Sequence, residues 1–330
     1  MNAIYSLPVT EEDGQVRLDR WLRRRFPHLG QGQVEKLIRT GQVRVDGARA
    51  KASDRLAAGQ MVRIPPLPSA GDKSESGKLS AKDEDYIRSL VIYRDDDVIA
   101  INKPHGLAVQ GGTKTVRHLD GLLDGLRFDS EEKPKLVHRL DRDTSGVMLI
   151  ARHPASAAAL SAAFKSRDTD KIYWAITNGV PNPPLGEVRS WIKKAAGPRE
   201  GDQELMRPAA HREEGAVFAI TDYVVMSEAA RKAAWVALKP LTGRTHQLRF
   251  HMLEIGTPIL GDPKYKNDRQ APGGLAHALH LHARAIRLPH PSTGKPFSVI
   301  APLPRHIAES FKAFGFDERE AKNPFAAFPQ

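Results

Sequence analysis

Between Pro65 and Asp85 the chain reads PPLPSAGDKSESGKLSAKDED, a run of Pro, Gly, Ser and charge with no apolar period. Such a run has no face to bury, so it divides the chain into a small unit over 1–66, a linker over 67–85 and a large unit over 86–330. At 330 residues the chain has room for about two domains with real cores. The run also comes close to a phosphate-binding loop. Five residues, one too many, separate Gly71 from Gly77-Lys78, and Leu79 stands where a Ser or Thr would bind magnesium. A nucleoside-triphosphate site is therefore excluded.

In the small unit, Val16, Leu18, Trp21 and Leu22 recur at helical spacing, and Val34, Leu37 and Ile38 repeat the pattern over Gln33 to Arg39. Gly41 ends the second helix. Gln42 to Val45 then reads as a strand entering a tight turn at Asp46-Gly47, with a further strand at Met61 to Ile64. Residues 1–66 hold twelve Lys and Arg against seven Asp and Glu, a net +5, within a chain of net +11. Basic charge concentrated in this way points to a polyanion, and nucleic acid is favoured over anionic lipid because no amphipathic anchor is present.

Zero cysteines remove disulfides, thiolate zinc sites and cysteine nucleophiles. The early acids at Glu11 and Glu12 and the lack of a membrane-length apolar stretch give the expectation of a cytoplasmic chain without a membrane span. The large unit mixes strands (Leu90 to Tyr93, Val98 to Asn102, Val147 to Ala151, Tyr173 to Thr177, Trp235 to Lys239, His280 to Leu288) with helices, among them Ala155 to Lys165 behind Pro154. Its sharpest segment is LVHRLDRDTSG, 136–146, ahead of the apolar strand VMLIA. An Asp in such a loop often does no more than hydrogen-bond its own turn, so the residues alone leave Asp141 balanced between chemistry and structure.

Two resemblances move that balance. RLDRWLRRRF, VEKLIRTGQVRVDG and AAGQMVRIPP, spanning most of 16–66, are similar to the S4 RNA-binding module. HRLDRDTSG resembles the signature of the RluA-type pseudouridine synthases, and VIAINKPHGLAVQGG, KIYWA and LTGRTHQLRFHMLEIGTPILGD resemble three further motifs of that family in the same order. Together the two cover the chain from residue 16 to about 302. They imply an α+β architecture: a small S4 module followed by a pseudouridine synthase fold with a central, mainly antiparallel mixed sheet and flanking helices.

The family resemblance makes Asp141 the catalytic residue and excludes Asp143 from that role. It places Tyr173 on the active-site tyrosine, pairs Arg249 with Asp141, and gives Arg139 the position vacated when the target base flips out. Thr245 is expected to cap a helix from His246 to about Glu254, on which Leu248, Met252 and Ile255 form the apolar stripe and Arg249 borders the core. An arginine there would hold Asp141 ionised. Arg244 is read as a turn or phosphate contact and Lys103 as part of a structured turn near the cleft. In the small unit Arg20, Arg24, Lys36, Arg39 and Arg44 are expected on phosphates, which supply affinity and salt dependence rather than sequence information.

The implied reaction breaks the N1 glycosidic bond of uridine, turns the uracil and rejoins it through C5. It is an isomerisation that asks for no cofactor and no metal, and one carboxylate near C1′ serves it, whether by attack on C1′ or by proton abstraction through a glycal. His246, His251, His277, His280 and His282 match no zinc spacing. The implied substrate is large-subunit ribosomal RNA and the expected state a monomer. Transfer RNA is the alternative substrate, and a non-catalytic RNA-binding or ribosome-assembly factor the alternative class.

Overall fold

The computed structural model describes residues 5–27, 29–67, 79–111, 117–166, 169–195, 205–320 and 325. The chain separates into two compact units, 1–78 and 79–330.

The first unit strings together β1 (Tyr5–Pro8), α1 (Leu18–Arg25), α2 (Gln31–Arg39), β2 (Arg44–Val45), β3 (Ala48–Arg49) and β4 (Met61–Ile64). The helical spacing read from the sequence places Leu18, Trp21 and Leu22 against Val34 and Ile38, and these close over Val43, just ahead of β2, and over Val62 and Ile64 of a four-stranded sheet ordered β1-β4-β2-β3. Asp46 and Gly47, with φ of 49° and 79°, make the two-residue turn between β2 and β3. The Asp46 carboxylate accepts the Met61 N–H at 2.8 Å, tying that turn to β4.

The second unit runs α3 (Ala81–Ser89), β5 (Val91–Arg94), β6 (Val98–Lys103), α4 (Leu119–Leu122), β7 (Lys135–Leu136), β8 (Ser145–Ala151), α5 (Pro154–Lys165), β9 (Asp170–Asn178), β10 (Leu185–Ala195), β11 (Leu205–Pro208), β12 (Val217–Ala229), β13 (Ala233–Pro240), α6 (Gln247–Glu254), β14 (Leu281–Pro289), β15 (Pro296–Ile300) and α7 (Arg305–Phe314). One sheet, ordered β11-β10-β12-β13-β9-β14-β8-β6-β5 with β15 on β14 and β7 on β8, organises it. All its pairs are antiparallel except β8 with β14. The mainly antiparallel mixed sheet expected from the sequence is present.

The expected linker over 67–85 needs correction at its end. Residues 68–78 lie outside the described ones, but α3 already begins at Ala81, its N-terminus capped by Ser80, whose hydroxyl accepts the Asp83 N–H at 3.1 Å. Ile87 of this helix is fully buried against the sheet core. A Ser-Ala-Lys-Asp-Glu-Asp stretch looks like linker until the apolar contacts that flank it, Leu79, Tyr86, Ile87 and Leu90, are known.

Alternation sets the two faces of the central strands. Trp174 and Ile176 of β9 and Trp235 and Ala237 of β13 pack under Ile307 and Phe311 of α7, while Ala175, Val236 and Leu238 point the other way, onto Leu248 and Met252 of α6. β8 is buried at every residue, as its unbroken apolar run requires of a strand covered on both faces. At its first turn Gly146 has φ 118°, and a Cβ there would lie 2.3 Å from the Ala283 carbonyl oxygen of β14. Glycine is what allows the parallel β8–β14 junction to close, and that junction anchors the loop carrying Asp141. Among the described residues no helix is long and apolar enough to cross a membrane.

Candidate active site

A cleft of about 360 Å³ opens over the α6 face of the sheet, lined among others by Arg139, Asp141, Lys171, Tyr173, Arg244, His246 and Arg249. It thus brings together four residues singled out in the large unit: Asp141, Tyr173, Arg249 and Arg139.

Asp141 lies in the loop between β7 and β8, and Lys103 at the end of β6 fixes that loop. The Lys103 ammonium is 0% exposed and donates to the carbonyls of Pro104 (3.0 Å), Leu107 (2.9 Å) and Arg142 (3.0 Å). Its three protons therefore each have an acceptor, which supports the charged form even though burial draws its pKa down to about 7. Gly106 and Arg142 add reciprocal bonds, the Gly106 N–H to the Arg142 carbonyl at 2.9 Å and the Arg142 Nε to the Gly106 carbonyl at 3.1 Å. On the other side, His138 Nε2 accepts the Leu149 N–H at 2.9 Å and its ring stacks on Phe164 at 4.2 Å. Burial takes the His138 pKa to about 3, so the imidazole is neutral and serves as an acceptor.

Arg249 projects from α6 toward this loop and is 2% exposed. Its main partner is a residue the sequence reading did not single out. Nε and Nη2 form a two-pronged pair with Asp262, both at 2.7 Å, and Asp262 in turn accepts the backbone N–H groups of Lys264 (2.8 Å) and Tyr265 (3.0 Å). The free nitrogen, Nη1, faces the Asp141 carboxylate at 4.0 Å. The expected pairing is thus the looser arm of an Asp262–Arg249–Asp141 series, in which Asp262 fixes the guanidinium and Arg249 presents its remaining edge to the cleft. The signal available in the sequence was the position of Arg249 itself: a core-facing guanidinium needs a fully engaged carboxylate, and the 23%-exposed Asp141 cannot supply one alone.

Arg249 acts on Asp141 in the expected direction, but a larger cause opposes it. Arg249, Arg139 and Lys103 do favour the ionised form of Asp141, but burial outweighs them and raises its pKa above the ordinary carboxylate value. Tyr173 on β9 is pushed up in the same way, by burial first and the Asp141 charge second, and its phenol stays protonated throughout the neutral range.

The start of α6 also differs from expectation. Thr245 is exposed and forms no cap; His246 occupies the capping position in the left-handed region at φ 50°, a rare conformation for a residue with a side chain. The helix start has no side-chain cap, and Gln247 instead ties down the turn ahead of it. Its buried amide oxygen accepts the Arg244 N–H at 3.0 Å and the Thr242 hydroxyl at 2.7 Å, while its NH₂ donates to the Ile220 carbonyl and to Thr221 Oγ1. The turn at His246 aims Nδ1 at the Tyr265 hydroxyl, 2.9 Å away, and burial lowers the His246 pKa to about 3. Arg244 is exposed at the rim, donating from Nε to the Phe218 carbonyl at 3.2 Å.

The other buried histidines have separate protein partners: His251 has Thr221 and Ser190, His280 has Ser310 and Leu260, and His282 has Ser145 and Ala301. In the first unit Arg20, Arg24, Lys36 and Arg39 are exposed on α1 and α2 and carry no ion pair among the described residues. Arg44 is half-buried, and its guanidinium donates to the Gly47 carbonyl at 3.1 Å and the Gly41 carbonyl at 3.4 Å, bracing the hairpin.

Comparison with known proteins identifies the family. The family model described as RNA pseudouridylate synthase matches residues 97–254, and the S4 domain model matches 16–62. The chain is 37% identical over 306 residues to the ribosomal large subunit pseudouridine synthase C of Rickettsia felis, covering 89% of this chain and 95% of the relative. It is 31% identical to the mitochondrial RNA pseudouridine synthase 4 of Arabidopsis thaliana, with 93% and 81% covered. The solved structure of human RNA pseudouridylate synthase domain containing 4 superposes with a TM-score of 0.58 at 31% identity, over 72% of this chain and 98% of that one. With relatives above 30% identity along nearly its whole length, the chain belongs to the RNA pseudouridylate synthase family of isomerases and carries an S4 domain at its N-terminal end.

Proposed function

We propose that this protein converts uridines of large-subunit ribosomal RNA to pseudouridine, with Asp141 as the reacting carboxylate. The observation that carries the reading is the placement of Asp141 in the cleft, opposite an arginine whose other edge is held by Asp262 and on the same wall system as Tyr173. The names of the bacterial relatives favour ribosomal over transfer RNA.

In either form of the chemistry the electron pair of the C1′–N1 bond leaves with the uracil. Asp141 attacks C1′ to give an ester, or removes the C2′ proton to give a glycal. The uracil turns and C5 bonds to C1′, displacing the Asp141 carboxylate from the ester or, in the glycal, as Asp141 returns the proton to C2′; the C5 proton passes to solvent and N1 takes one up, so that product and substrate are isomers. Tyr173, a neutral phenol against the detached base, is placed to serve the last proton transfer, and Arg139 fills the gap left in the RNA stack. Arg20, Arg24, Lys36 and Arg39 supply phosphate contacts from the S4 domain.

The test is tritium release from C5-tritiated uridine in protein-free large-subunit rRNA, run beside transfer RNA. Release from the ribosomal transcript alone is expected, and release from transfer RNA alone would replace the substrate assignment. Replacing Arg20, Arg24, Lys36 and Arg39 together by Ala should lower the slope of log K against log salt by up to about 3 units, at roughly 0.7 to 0.9 per phosphate. An unchanged slope would remove those contacts from the RNA interface.

A further inference from the structure

Lys171 is a cation in the cleft that the chemistry above does not use. Strand alternation puts it on the same face of β9 as Tyr173, about 7 Å along the strand, and both line the cleft. The carboxylate next to it in sequence, Asp170, points to the opposite face and is paired with Lys239 at 2.7 Å. Asp141, the acid of the cleft, acts on Lys103, Tyr173 and Arg249 but is not among the influences on Lys171. The polar group beside Lys171 is His138, which is neutral and already accepts the Leu149 N–H.

Among the described residues, then, the Lys171 ammonium has neither a hydrogen-bond acceptor nor a counter-ion, and burial alone lowers its pKa. Each of the other cations of the cleft wall differs: Arg249 has Asp262, Arg244 has a carbonyl, and Arg139 is exposed to solvent. A half-buried cation left uncompensated beside the place of the target base carries a standing desolvation penalty that an incoming anion would remove.

We infer that Lys171 is the binding position for a phosphodiester flanking the target uridine, so that the flipped nucleotide is held by its base against Tyr173 and by its backbone at Lys171. This rests on the proposed reaction for the location of the base, but the anion contact is measurable without turnover.

The experiment uses the full chain with Lys171→Met, Lys171→Gln and Lys171→Arg, measuring rRNA binding across a salt series together with single-turnover tritium release. The neutral variants should bind about 10-fold or more weakly at moderate salt, with a salt slope smaller by about 0.7. At saturating RNA they should keep a rate within about 3-fold of wild type, the signature of a lost binding contact rather than a lost chemical group. Lys171→Arg should retain the slope. Unchanged affinity and slope in both folded neutral variants would overturn the inference, as would equal loss in all three variants without a change of slope, since that marks a packing role. Absence of tritium release by wild type, with the slope loss intact, would instead strike at the reaction and leave the phosphate contact standing.

Discussion

Asp141→Asn should abolish turnover, lowering the rate by at least about 10³-fold while leaving RNA binding within a few-fold of wild type. The substitution keeps the shape of the side chain and removes the charge needed for either attack on C1′ or proton abstraction. It should also make the protein more stable at neutral pH. The Asp141 pKa is raised by burial, so the native state holds a proton that the unfolded chain releases, and stability rises as pH falls through the raised value. Above that value the ionised carboxylate is a burden on the fold, and a neutral amide relieves it. For the wild type the same shift places the acid limb of the rate profile above 3.8, the ordinary value for Asp. Activity should be lost as pH falls through that limb, and the melting temperature of Asp141→Asn should exceed that of wild type at pH 7 and converge with it in acid. A variant less stable than wild type at pH 7 would contradict this electrostatic account.

Asp262→Ala is expected to have the largest effect on folding. It strips both prongs from a guanidinium that is 2% exposed and leaves it with a carboxylate 4.0 Å away. Removing one partner of a buried pair typically costs about 3–5 kcal/mol, and here it also releases the backbone N–H groups of Lys264 and Tyr265. In molecules that remain folded, Arg249 is free to swing fully onto Asp141, which would stabilise the carboxylate and move the acid limb to lower pH. Asp262→Asn keeps an acceptor for the guanidinium and should fall between. Urea unfolding with a pH–rate profile checks both parts, and a loss below about 1 kcal/mol would show that Asp262 does not brace the arginine.

The parts of this protein legible in the sequence were those set by local pattern. Helical spacing at Leu18, Trp21 and Leu22, the Asp46-Gly47 turn, and the apolar run of β8 each carry their own geometry, and ordered motifs located Asp141, Tyr173 and Arg249 in one cleft. What stayed hidden depends on contacts between distant segments. Asp262 lies thirteen residues beyond Arg249 and past the end of its helix, so no helical spacing connects them. Lys103 reads as a turn residue until its three carbonyl acceptors, one of them on Arg142, are in view. The left-handed turn at His246 is stabilised by the reach of Gln247 to β12, which no cap pattern encodes. Lys171 is informative for what it lacks, and a missing counter-ion is visible only in three dimensions. The balance at Asp141 was also out of reach, because neighbouring cations are nameable from motifs whereas the depth of burial that outweighs them is not.

Nucleoside analysis of large-subunit rRNA after incubation with the wild-type protein or Asp141→Asn tests the central claim most directly. Pseudouridine should appear mole for mole as uridine disappears with wild type, and neither should change with the variant although it binds the RNA. Conversion by Asp141→Asn at the wild-type rate would remove Asp141 from the chemistry, and bound rRNA left unconverted by the wild type would contradict the assignment of that RNA as substrate.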